Sequence, residues 1–199
     1  MQSRGSVTDA ARDTPSPEPR QDLQVPERAS GRFDVAAGTT ERTGTGPLVR
    51  YAVEVEQGLP VGRRQMAQRV DDVLASPKGW TATEGGSLQR VQSHPDIRIR
   101  LASPQTTDQL CRPLDTGGRL SCRNGDLVVL NAWRWVNGAS TYAGDLRAYR
   151  QYMINHEVGH ALGNAHASCT EAGRPASVMV QQTKGLDGCL PNPWPAIAH

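Results

Sequence analysis

With 199 residues, of which 37% are hydrophobic and 5% aromatic, the chain is long enough for one domain with a proper core plus an extension. A formal net charge of only +2, carried by scattered basic residues that are nearly all arginine, excludes a nucleic-acid or membrane-surface partner held by bulk positive charge. No apolar run is long enough to span a bilayer, and no apolar h-region follows Met1.

Residues 1–30 read as a disordered linker. Thr14-Pro15-Ser16-Pro17-Glu18-Pro19-Arg20 sits among Ser, Thr, Asp, Arg and Gln, which offer too little apolar surface to offset the entropy of ordering. The folded domain is expected over residues 31–199. Residues 32–35 alternate briefly as a strand, and 38–47 are turn-rich. Leu48-Val49-Arg50-Tyr51-Ala52-Val53-Glu54-Val55-Glu56 alternates apolar with charged side chains and predicts a strand that stops at Gly58-Leu59-Pro60. In 62–76, Met66, Val70, Val73 and Leu74 recur at i, i+4, i+7 and i+8, the spacing of an amphipathic helix ended by Pro77 and Gly79. Two further strands, 88–92 and 97–102, flank His94-Pro95-Asp96, where His94 is a turn residue rather than a ligand. A single helical turn is expected over 107–110.

Runs 119–123 and 126–130 flank Asn124-Gly125, the dipeptide that best fits a type I′ turn, so they should pair as an antiparallel hairpin. The strand is then expected to continue through Asn131-Ala132-Trp133-Arg134-Trp135 with both tryptophans on one face, packed rather than lining a cleft. The longest predicted helix covers 145–162. Its stripe of Leu146, Tyr149 and Met153 leads on to His156 and His160.

That helix runs into His156-Glu157-Val158-Gly159-His160-Ala161-Leu162-Gly163-Asn164-Ala165-His166, which reads H-E-x-x-H-x-x-G-x-x-H. Four residues apart on a helix, His156 and His160 project from one face and can bind one ion. Glu157 is placed to act as a base without being a ligand. Six residues past His160, His166 can join only if the helix ends between them, and Gly163 supplies that end by adopting the left-handed conformation cheaply. Three imidazoles leave a fourth position for water. Open coordination favours a catalytic over a structural zinc.

Cys111, Cys122, Cys169 and Cys189 are even in number, lack C-x-x-C spacing and lie in loop regions or near a strand end, as disulfide staples do. Of three possible pairings, Cys111 with Cys122 and Cys169 with Cys189 is preferred because these close short loops. Four reduced thiols in a cytosolic protein are the alternative. The paired form implies an extracytoplasmic chain, secreted or anchored through a segment outside this sequence. After His166 the chain is turn-rich, irregular, and pinned by Cys189 and Trp194.

The order of strand, helix, further strands, histidine helix and downstream methionine resembles the metzincin clan of zinc metallopeptidases. Together with Arg50-Tyr51-Ala52-Val53-Glu54-Val55-Glu56, Cys122-Arg123-Asn124-Gly125 and Gln181-Gln182-Thr183-Lys184-Gly185-Leu186-Asp187-Gly188-Cys189, it is also similar to an uncharacterised family of secreted or anchored bacterial proteins. The likeness covers about residues 31–195, and the clan motif itself spans eleven of them. It implies an α+β fold, with a twisted mixed sheet, an amphipathic backing helix, a zinc-binding active-site helix and a short irregular C-terminal part. By it, His156, His160 and His166 match the zinc ligands, Glu157 the general base, and Met179 the turn methionine that floors the site. Some members place a tyrosine two residues beyond that methionine, but this chain has Gln181 there.

The activity so implied is hydrolysis of a peptide or protein substrate with Zn2+ as cofactor, by a monomer, with Glu157 moving the proton. Two rivals stand beside it. One is an inactive zinc-binding or interaction module, the other a zinc hydrolase of a non-peptide amide such as a cell-wall linkage.

Overall fold

A computed structural model of the protein describes residues 23–196. Three strands, β1 (Phe33–Val35), β2 (Thr43–Gly44) and β3 (Leu48–Glu56), lead into α1 (Arg63–Leu74) and the one-turn α2 (Trp80–Thr83). Next come β4 (Ser87–Arg90), β5 (Ile97–Ala102) and α3 (Pro104–Leu110). The regular elements close with β6 (Cys122–Asn124), β7 (Leu127–Asn131), α4 (Ala132–Asn137), a 3-10 turn (Ser140–Tyr142) and α5 (Leu146–Ala161). The strands make one twisted mixed sheet in the order β2-β4-β3-β5-β7-β6, with β1 beside the end of β3. The central strands β4, β3, β5 and β7 are parallel, whereas β1, β2 and β6 join antiparallel.

The period of two decides which face is apolar. Tyr51, Val53 and Val55 of β3, Ile97, Ile99 and Leu101 of β5, and Val128 and Leu130 of β7 point into one core. That core is completed by Met66, Val70, Val73 and Leu74 of α1 and by Tyr149, Met153 and Val158 of α5. On the opposite face β3 and β5 carry charge at Glu54, Glu56, Arg98 and Arg100, beside a smaller apolar cluster of Ala102, Cys111, Cys122 and Val129. There the buried Glu54 accepts from Arg98 Nη1 at 2.6 Å and Arg100 Nε at 2.7 Å. The equally buried Glu56 accepts from Gly31 N and Ser103 N, each at 2.7 Å, and from Thr106 Oγ1 at 2.8 Å. Carboxylates are tolerated at such depth because their lone pairs are met by charged or oriented donors.

Four local expectations are revised. The strand ends at Asn131, and Ala132–Asn137 is a helix, so Trp133 and Trp135 do not share a strand face. Its cause lies next door: Asn131 pairs with Ala102, the last residue of β5, and beyond it there is no neighbouring ladder to join. Asn131 instead caps the new helix by accepting from Trp133 N at 2.9 Å. Trp135 enters the core, while Trp133 is half-buried with Arg119 and Arg134 over its ring.

In the hairpin Asn124 pairs with Leu127, so the turn residues are Gly125 and Asp126. Of these only Gly125 has positive φ, at 62°, the sign pattern of type II′ rather than I′. The expected turn at 107–110 is part of a longer helix, Pro104–Leu110. Finally, packing begins before Gly31: Gln105 N donates to Glu27 O at 2.9 Å, Ala29 N to Ser103 Oγ at 3.1 Å, and Arg119 Nη2 pairs with Glu27 Oε1 at 2.7 Å. Residues 1–22 of the expected linker lie outside the described residues.

Both disulfides are present, Cys111–Cys122 with Cα atoms 6.0 Å apart and Cys169–Cys189 with 5.8 Å. Such bonds persist in oxidising compartments, which points to an extracellular environment. Among the described residues, no helix is long and apolar enough to cross a membrane. Residues 162–196 hold only isolated bridges, Ala167 with Val180 and Pro175 with Leu190, and Trp194 packs against the main core.

Candidate functional site

The three histidines are brought together by how α5 ends. Gly163 has φ +104°, Gly163 N donates to His160 O at 3.2 Å, and Asn164 N donates to Gly159 O at 2.9 Å. This is a Schellman C-cap, closing the last turn and reversing the chain so that His166 faces back toward His156 and His160. One ring nitrogen from each of the three lies within 4.8 Å of the others.

Backbone carbonyls fix the rings. His156 Nδ1 lies 2.9 Å from Val178 O, and His160 Nδ1 lies 2.7 Å from Asn164 O. A carbonyl can only accept, so Nδ1 carries the proton in each ring and the Nε2 lone pair faces the site. His160 Nε2 and His166 Nε2 stand 3.0 Å apart. Lone pairs that close need a shared proton or a cation between them. A tetrahedral ion with nitrogen ligands at about 2.0–2.1 Å asks for separations of about 3.3 Å, so the donor set fits a divalent metal. Burial pushes the pKa of His156 down to about 4. That of His166 is also lowered, first by burial and then by the nearby His160 and Lys184. Both rings are thus neutral at neutral pH, the form that binds a metal.

Glu157 is 6% exposed, and burial pushes its carboxyl up to about 8 in the metal-free protein. It lines the same cleft as the three histidines, so its carboxyl has access to the space they face. A cation held there would favour the carboxylate and oppose that rise.

Met179 sits beneath the helix. A Cβ on Gly159 would fall 2.6 Å from Met179 Sδ and 2.5 Å from Trp80 Cζ2, so both side chains occupy the space the glycine leaves between the two helical histidines. The segment carrying Met179 also provides the Val178 carbonyl, and it is anchored by Gln182, which is fully buried. Gln182 Oε1 accepts from Tyr142 Oη at 2.8 Å and Asn192 N at 2.9 Å, while Nε2 donates to Asn192 O at 2.8 Å and Ser177 O at 3.2 Å. Every side-chain lone pair and proton of that amide has a partner.

The cleft over the site has a volume of about 480 Å³. It is lined by the histidines, Glu157, Tyr152 and Met153 of α5 and the turn after it, by Leu114, Leu120 and Cys122 of the disulfide-closed loop with Arg123 of β6, and by Gln181, Thr183 and Lys184. Cys111–Cys122 therefore shapes a wall of the cleft, and Cys169–Cys189 ties the chain after His166 to the segment following Lys184.

All four residues singled out for chemistry, His156, Glu157, His160 and His166, meet in this cleft, and Met179 lies under it. Sequence reasoning missed Gln182, the carbonyls of Val178 and Asn164, and the wall residues Leu114 and Leu120. The carbonyls carry no side-chain signal, and a buried glutamine in a polar tail looks like any surface residue. A family model described as a protein of unknown function (DUF3152) matches residues 20–193. No curated protein and no solved structure matches the chain.

Proposed function

We propose that this chain, which belongs to the DUF3152 family, is a zinc-dependent peptidase of metzincin type. The observation that carries the reading is the convergence of three imidazole nitrogens, all within 4.8 Å, beside the buried carboxyl of Glu157 in one cleft. His156, His160 and His166 would hold the ion, leaving a fourth position open. When bound there, zinc supplies Lewis acidity to the attacking water and the scissile carbonyl.

The chain's own residues do the rest. Glu157 takes the proton of the water and passes it to the leaving amine. Val178 O and Asn164 O hold two of the rings in the ligating tautomer. Met179 and Trp80 support the helix from below at Gly159, in keeping with the turn methionine of the clan. The short antiparallel edge strand β6 borders the cleft with Arg123, where an extended peptide could add as a further strand. The two disulfides support a secreted or anchored enzyme.

Glu157→Gln tests the reading. The substitution is nearly isosteric and leaves the ligands in place but removes the basic oxygen, so zinc content should persist while hydrolysis falls by about 10²–10⁴. Equal cleavage of a peptide panel by wild type and Glu157→Gln, each checked with and without chelator, would remove Glu157 from the mechanism.

A further inference from the structure

Lys78 and Lys184 are the only lysines of the chain, and Lys184 lines the cleft. Among the described residues its side chain meets one polar partner, the neutral Gln181 Oε1 at 3.4 Å. Among the described residues, no carboxylate pairs with it. Its position is set by the backbone: Lys184 N donates to Gln181 O at 2.9 Å, the hydroxyl of Thr183 meets Tyr149 Oη at 3.1 Å, and Thr141 Oγ1 donates to Gln182 O at 2.8 Å. With Gln182 fully anchored beneath, this turn offers Gln181 and Lys184 to the cleft from a fixed base. The lysine lines the same cleft as His156, His160, His166 and Glu157. Arg123 lines the same cleft as a second cation without a carboxylate partner among the described residues, and the acidic side chains lining it are Asp115 and the buried Glu157.

A cation held in a substrate cleft without its own counter-ion is a site for a carboxylate brought by the ligand. We propose that Lys184 recognises a carboxylate of the substrate, so that the cleft selects peptides bearing an acidic group close to the scissile bond. The inference rests on the peptidase reading for its notion of substrate, but the recognition itself can be measured without turnover. The carboxylate has two sources, an Asp or Glu side chain or a free C-terminus.

Two matched peptide series separate them: one exchanges a single Glu for Gln near the cleaved bond in C-terminally amidated peptides, and the other keeps neutral side chains and compares free acid with amide. Wild type should prefer the acidic member of one series roughly fivefold in kcat/KM at low salt, with the preference shrinking as ionic strength rises. Lys184→Met should bring that ratio to about one, Lys184→Glu should reverse it, and Lys184→Arg should restore it, while Lys78→Met, at a site away from the cleft, should leave it at the wild-type value. Fluorescence anisotropy of the same labelled peptides on the Glu157→Gln protein reads recognition in the absence of cleavage. Acid-selective binding that depends on Lys184 supports the inference even if wild type hydrolyses nothing, an outcome that would overturn only the peptidase reading. Cleavage or binding without acid preference in either series, or a preference surviving Lys184→Met, overturns the inference and leaves the peptidase reading intact.

Discussion

Replacing Gly159 by alanine tests the packing beneath the histidines. In an ordinary helix interior the change would stabilise by about 1 kcal/mol, because alanine has less backbone freedom to lose. Here the new methyl would stand 2.5 Å from Trp80 Cζ2 and 2.6 Å from Met179 Sδ. Methionine can swing its thioether aside at little cost. The indole cannot, since it is buried and its Nε1 donates to Asn155 O at 2.9 Å, on the same helix. Overpacking costs about 1–3 kcal/mol. Moving the ring far enough to lose the indole bond adds about 1–3 kcal/mol for a buried donor left unmet. After the propensity gain is subtracted, Gly159→Ala should destabilise by about 1–5 kcal/mol. Urea denaturation of the metal-free protein at unchanged m gives this number directly. In a Trp80→Ala background the clash with the indole is gone and only the yielding Met179 thioether remains, so the same substitution should be neutral or stabilising by up to about 1 kcal/mol. Equal or greater stability of Gly159→Ala in the wild-type background would refute the account of Met179 and Trp80 as a close-packed floor.

Each of His156→Ala, His160→Ala and His166→Ala should lower the zinc bound per chain measured by elemental analysis, and full occupancy in His166→Ala would exclude the three-histidine site. The pair Cys169→Ser and Cys189→Ser opens a loop of sequence separation 20, which corresponds to about 3 kcal/mol of lost stability in thermal or urea unfolding. Because that loop holds both Met179 and the Val178 carbonyl, the same variant should also bind zinc more weakly, and unchanged affinity would show that the loop does not brace the site.

Sequence alone determined the features set by near neighbours. The strand Leu48–Glu56, the amphipathic helix behind it, the antiparallel hairpin and the end of α5 at Gly163 depend on periodicity, on turn residues and on a single glycine, all legible within a dozen positions. The same reach made His156, Glu157, His160 and His166 legible as one constellation. What only the tertiary structure decided depends on partners far along the chain. The strand stops at Asn131 because β5 stops at Ala102, and nothing within residues 127–135 records where a neighbouring strand ends. Residues 23–30 are held by Ser103, Gln105 and Arg119, more than seventy positions away, so their polar composition alone reads as linker. Gln182 is buried because Tyr142, Ser177 and Asn192 together satisfy its amide, a condition no local pattern encodes. Lys184 reads as an ordinary surface lysine until the clamped turn brings it to the cleft that holds the histidines. Spacing specifies the donors of such a site, whereas the charge and shape of its walls arise from segments that meet only when the whole chain has packed.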